Sequence, residues 1–265
     1  MNTGANATAR RALVFALLAL AAAGAQAGRS CENRAPTVDA IQRSMTLAEH
    51  TARALDQSGA QVVVLARAGQ NLSEYHLRYS HLGFAYRDAD RHWRIVHKLN
   101  QCGSANGSLY RQGLGEFFLD DLYEYEAAIV VPRPDVQARL LPALQDNARV
   151  AQLNTPAYSM VAYPWAQTYQ QSNQWAIETL AMTQDPAAQT RTRAQAWLQL
   201  QGYQPTTLHI GPLKRLGGRL TAANIAFDDH PNEKRFSDRI ETVTVDSVFT
   251  WLNRSGLGGP VQTIR

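Results

Sequence analysis

Residues 79–102 read YSHLGFAYRDADRHWRIVHKLNQC, and the fold turns on this stretch. Leu82, Phe84 and Tyr86 alternate with His81, Gly83 and Ala85, and further on Trp93, Ile95 and His97 alternate with Arg94, Val96 and Lys98. A two-residue period is that of paired strands, whose successive side chains point to opposite faces. The charged RDADRH between the two runs is turn chemistry. A hairpin closed there puts His81 and His97 near its open end, where the two imidazoles can share a face. A lone histidine in a strand is more often packed or solvent-facing than chemical. Two at one sheet edge make a candidate site, and a nucleophile elsewhere in the chain would strengthen it.

Outward from the hairpin, the pattern predicts a mixed set of elements. Thr37 is a candidate N-cap for a helix to about Ser58, with Val38, Ile41, Met45, Ala48, Ala52 and Leu55 at three and four spacing. Gln61–Arg67 is a β-branched run of strand length, buried on both faces, and Ala127–Val131 is a second apolar strand. After Cys102 a Gly/Ser-rich loop leads through 109–115 to a short helix or turn over 116–122. Residues 136–148 have helical periodicity with Pro142 expected to kink or break it, and 154–162 read as loop and strand. Ser172 heads a helix ended by Asp185-Pro186, and 192–201 form another, stopped by Gly202. Residues 206–210, 220–227 and 239–245 read as strands, and Asp246 caps a last helix through Leu252.

At the other end, Arg10 and Arg11 precede an apolar run, 12–25, that closes on Ala25-Gln26-Ala27. This is the pattern of a secretory signal peptide cleaved after Ala27. A run of about fourteen residues falls short of the roughly twenty that span a bilayer, so cleavage is expected and no membrane span afterwards. The expected address is periplasmic or secreted. Removing residues 1–27 takes away two arginines and no acids, leaving 24 basic against 22 acidic side chains. No basic cluster interleaved with aromatics stands out, which argues against nucleic acid as a partner. The only cysteines are Cys31 and Cys102, and in an oxidising compartment they most simply pair, contributing about 3–4 kcal/mol by chain entropy. The rival reading makes Cys102 a nucleophile. Asp228-Asp229-His230-Pro231 reads as a charged turn rather than a metal site, and no metal or cofactor is expected.

His81-Leu82-Gly83-Phe84 is similar to the His-x-Gly-apolar strand of the circularly permuted papain-like fold, found in NlpC-type peptidases and lecithin:retinol acyltransferase relatives. His97 falls where the acyltransferases carry a second histidine. Tyr169-Gln170-Gln171-Ser172-Asn173-Gln174-Trp175 resembles the start of their cysteine-bearing helix, with serine in the cysteine position and Trp175 in the aromatic one. More broadly, SHLGFAYR, LNQCGSANGSLYRQGLGEFFLDD, AYPWAQTYQQSNQW and NIAFDDHP resemble an exported bacterial family catalogued as domain of unknown function 2145, which brings no activity with it.

The resemblance implies an α+β fold: a permuted papain-like core, antiparallel sheet on helices, with a C-terminal α/β extension. The expected division is signal 1–27, N-terminal helical segment 28–60, core 61–185 and extension 186–265. It implies an exported hydrolase or acyl-transfer enzyme acting on an amide or ester of a cell-envelope component, with Ser172, His81 and His97 catalytic and Tyr169, Asn173 and Trp175 at the substrate. The alternative is an inactive binding module on the same fold. Serine cannot hold the thiolate–imidazolium pair of a cysteine site and must lose its proton to a base during attack. Ser172 is therefore open to three readings: nucleophile, binding contact, or simply the helix N-cap that serine favours.

Overall fold

The computed structural model describes residues 35–120 and 122–265, so the signal segment and Cys31 lie outside the described residues. The architecture is α+β. An antiparallel six-stranded sheet has the order β4-β3-β2-β1-β5-β8, and a separate two-stranded sheet pairs β6 with β7. The strands are β1 (Val62–Arg67), β2 (His81–Arg87), β3 (Trp93–Asn100), β4 (Gly107–Gly113), β5 (Ala127–Val130), β6 (Thr206–His209), β7 (Arg239–Thr242) and β8 (Gln262–Ile264).

Helices cover both faces of the large sheet, and alternation along β1 shows why. Val62, Val64 and Ala66 enter one apolar layer with α5 (Ser172–Gln184) and α9 (Val245–Arg254). Val63 and Leu65 enter the other with α1 (Val38–Gln57) and α2 (Leu114–Phe118). Each such fully buried Val or Leu contributes about 1.5–3 kcal/mol, enough to fix the register of a strand buried on both sides. α1 is capped as its sequence predicts, Thr37 Oγ1 accepting from Ala40 N–H at 3.1 Å. The N-terminal helix and the C-terminal residues both complete this one body, because α1 lies on the second face and β8 adds to β5.

Four local readings are corrected. Residues 107–113 form the edge strand β4, paired along β3, although GSLYRQG carries too little apolar alternation to announce it. Residues 154–162 make no strand beyond a single bridge at Ala157. Pro142 leaves α3 (Pro134–Gln145) intact, since it and Ala138, whose carbonyl loses its partner, both face solvent. The chain breaks instead at Asp146, which caps α4 (Asn147–Ala151). Residues 212–221 form helix α7 (Pro212–Thr221), with Pro212 in its first turn, where a strand was expected from Leu220. The remaining helices are α6 (Arg191–Leu200) and the short α8 (Asn232–Arg235). Among the described residues no helix is long and apolar enough to cross a membrane.

Candidate functional site

β2 and β3 pair from Arg87↔Trp93 to Phe84↔Val96 around a turn in which Asp88 accepts from His92 N–H at 2.8 Å. Beyond Phe84 the strands reach the histidines. Gly83 sits beside His97, and a Cβ there would lie 2.8 Å from His97 Cβ and 2.9 Å from the Val96 carbonyl. The glycine after His81 is thus the residue that lets the second imidazole lie against the first strand. His81 Nε2 and His97 Nδ1 are 2.8 Å apart, and His97 Nε2 lies 2.7 Å from Gln112 Oε1 on β4.

The amide fixes the protons. Gln112 Nε2 donates to Glu116 Oε1 at 3.1 Å, so Gln112 Oε1 accepts, and His97 Nε2 carries a hydrogen. His97 Nδ1 is then the acceptor of His81 Nε2–H. His81 Nδ1 is left as a bare lone pair. It has no hydrogen-bond partner among the described residues, and the residue as a whole is only 8 % exposed. Burial holds the His81 imidazole well below its ordinary pKa, helped by the Arg67 guanidinium on the adjoining strand and by His97. Burial likewise lowers His97 to about 3, with Arg67 adding to the effect and Gln112 and Asp120 opposing it. Both rings are therefore neutral at neutral pH, the form in which imidazole is a base. Phe117 packs against both rings, and Arg67, ion-paired to Asp120 and hydrogen-bonded to the Phe117 carbonyl, closes the cluster.

Ser172 belongs to the other layer. It is the first residue of α5, and the N-cap is Gln171, whose side chain accepts from Asn173 N–H at 2.9 Å. The N-cap reading of Ser172 is therefore corrected. Its hydroxyl lies 3.2 Å from Tyr158 OH and is hydrogen-bonded to neither imidazole among the described residues. The two regions still adjoin. Leu82 N–H donates to Asn173 Oδ1 at 3.1 Å, so Ser172 and His81 flank the same hydrogen bond on either side. The structure joins His81 to His97 on the Phe117 face of the sheet and places Ser172 on the opposite, α5 face, linked to β2 only through Asn173 and Leu82.

Of the residues expected at a substrate, Asn173 is engaged by Leu82 and by the Val243 carbonyl. Trp175 is fully buried, its indole N–H on the Val150 carbonyl and its ring edge-on to Phe84, so it serves the core. Only Tyr169 remains half-exposed, and its hydroxyl donates to Asp228. Asp229 and His230 are not an exposed turn. Their side chains are sealed from solvent, Asp229 accepting from Tyr163 N–H and His230 bridging Asp229 to the Glu241 carbonyl, which clasps the small sheet to the loop before α5. No cysteine among the described residues is free, which leaves no thiol at Cys102 to act as a nucleophile. Asp88, Asp90 and His92 bring one ligand atom each within 4.8 Å, but Asp88 is held by Arg94 and the His92 N–H, as an ordinary turn would hold it. The residues that sequence reading missed are Gln112, Glu116, Arg67 and Tyr158. Gln112 lies on the edge strand β4, Arg67 at the end of β1, Glu116 in the short helix α2 and Tyr158 in a loop, none marked out by its local sequence.

Fold and site define an α+β protein built on an antiparallel sheet, with a buried imidazole pair relayed to an edge-strand amide at the open end of its hairpin. The chain belongs to the family described as "Uncharacterized protein conserved in bacteria (DUF2145)", whose model matches residues 54–252. No curated protein and no solved structure matches it.

Proposed function

We propose that the protein is an exported hydrolase or acyl-transfer enzyme acting on an ester or amide of the cell envelope, with Ser172 as nucleophile, His81 as base and His97 as its orienter. The observation that carries this reading is His81 Nδ1, a lone pair without a partner among the described residues, its opposite nitrogen held by His97, which is held in turn by Gln112. Ser172 starts on the α5 face and the imidazoles on the Phe117 face, so this reading requires the Ser172 hydroxyl to leave Tyr158 and meet His81 Nδ1 around the start of β2, attacking the substrate carbonyl as its proton passes to that nitrogen. The same proton then goes to the leaving alcohol or amine, and water or an acceptor alcohol or amine resolves the acyl-serine. The N-terminus of α5 favours the developing oxyanion. A Cys31–Cys102 bridge belongs to the same proposal.

A second reading, a binding module without turnover, is favoured by one contact: Tyr158 OH occupies the Ser172 hydroxyl at 3.2 Å. An ester and amide panel separates the two. The enzyme reading expects hydrolysis of some member, lowered by orders of magnitude in both Ser172→Ala and His81→Ala, since members of one triad act as a unit. Turnover unaffected by Ser172→Ala removes Ser172 from the chemistry. Turnover by Ser172→Cys alone marks a site retained for binding.

A further inference from the structure

We propose that α7 is a docking helix that lies along an anionic phospholipid surface. In PLKRLGGRLT, Leu213, Leu216 and Leu220 recur at spacings of three and four and form one stripe of the helix. They are 86 %, 56 % and 78 % exposed. Three leucines aligned in solvent on a ten-residue helix are an apolar patch of the kind that marks an interaction site.

The opposite side of the helix is the one held by the protein. Gly218 is buried, with Ile225 as the nearest neighbour of any Cβ placed there. Arg215 donates to the Arg235 carbonyl and lies over the Phe227 ring. The stripe therefore points directly away from the body. At 100° per residue, Arg219 lies about 90° to one side of the stripe and Lys214 further round on the other, toward the body, and the helix carries no acidic residue. Lys214 is paired with Glu74, whereas the Arg219 guanidinium has no ion-pair or hydrogen-bond partner among the described residues. Phe236, 75 % exposed and stacked under Arg235, adds an aromatic beside the segment that Arg215 anchors.

An apolar stripe on a helix whose only charged residues are basic, with an unpaired arginine at its side and an aromatic nearby, is the composition of a helix lying in a membrane interface. Area decides against a second copy of the chain: a helix about 15 Å long offers far less than a stable dimer buries, and two such stripes face to face would leave Arg219 without a counter-charge. An anionic headgroup supplies the counter-charge that Arg219 lacks, a cation near the surface being worth about 1 kcal/mol.

The test is co-sedimentation of the purified chain with vesicles of phosphatidylcholine alone and of phosphatidylcholine and phosphatidylglycerol in equal parts. The expected result is at least about tenfold more binding to the anionic vesicles, with loss of about tenfold in a Leu213→Ser, Leu216→Ser, Leu220→Ser variant of unchanged circular dichroism and thermal midpoint. Arg219→Glu should reduce the preference for anionic vesicles while leaving the fold intact. No binding to either vesicle, equal binding by the leucine variant, or a leucine-dependent dimer in light scattering without lipid would each overturn the proposal.

Discussion

The two faces of the large sheet both bury polar groups, yet they dispose of them differently. Behind α5, Glu178 accepts from Arg191, Gln170 and Gln195, and Arg191 gives its remaining hydrogens to Thr155 and to the carbonyls of Ala166, Gln167 and Tyr169. Lys98, lowered to about 7 by burial and by the Arg191 charge, joins the same network through Gln170 and the Thr155 carbonyl. Glu178 pairs with Arg191, Lys98 is held by uncharged acceptors, and the result ties the loop before Ser172 to two helices. On the Phe117 face the chain of donors runs from His81 through His97 to Gln112 and leaves one nitrogen over. A saturated network is structural, and an unsaturated end is where chemistry can begin.

The sharpest way to break that contrast is Glu178→Ala. Removing one partner of a sealed ion pair leaves Arg191 charged without a counter-ion and should destabilise the protein by about 3–5 kcal/mol in urea unfolding. The imidazole pair, on the other face, should keep its hydrogen bond. A loss below about 1 kcal/mol would mean that the network is not the clamp described.

Gly83→Ala sharpens the comparison from the other side. Its Cβ would press on His97 Cβ and the Val96 carbonyl, and forcing β3 away should cost about 1–3 kcal/mol. It should also lengthen the His81–His97 contact, visible as new titration of the two rings by NMR. Rings that stay silent in Gly83→Ala would show that the glycine does not set their approach.

How far the sequence reaches follows from the same division. The hairpin and β1 were legible because burial on a known face forces alternation, and the His81–His97 meeting came with them. Gln112 was hidden because β4 is an edge strand of glycine and polar residues, whose pairing to β3 is a backbone property. Tyr158 was hidden in a loop held by one bridge. Trp175 shows the converse limit. An aromatic near a helix start reads as a contact surface, yet its place is decided by Phe84 and the Val150 carbonyl, which lie far away in sequence. Helix α7 escaped because the reading began at Leu220, the last turn of an element that starts at Pro212.

A smaller effect is the pH dependence of stability. His97 is held near 3 in the folded chain, against an unfolded value of about 6.5, so the unfolded state binds the proton first as pH falls. Stability contributed by the neutral ring is complete above about pH 6.5. It should be lost progressively toward pH 3 at up to about 1.4 kcal/mol per pH unit for each proton. His97→Gln should flatten the curve below pH 6.5 relative to the parent. Parallel curves would contradict the buried neutral imidazole.

The central claim is that His81 presents an unprotonated Nδ1 at neutral pH, with its proton on Nε2 and directed at His97. Long-range proton–nitrogen NMR on histidine-labelled protein reads the tautomer directly. The account predicts that at pH 7 the His81 Nδ1 resonates as an unprotonated, pyridine-type nitrogen and Nε2 as a protonated one, unchanged on lowering the pH to about 5, because burial disfavours the charged ring. A protonated Nδ1 at pH 7, or a ring that titrates near its ordinary value of about 6.5, would contradict it.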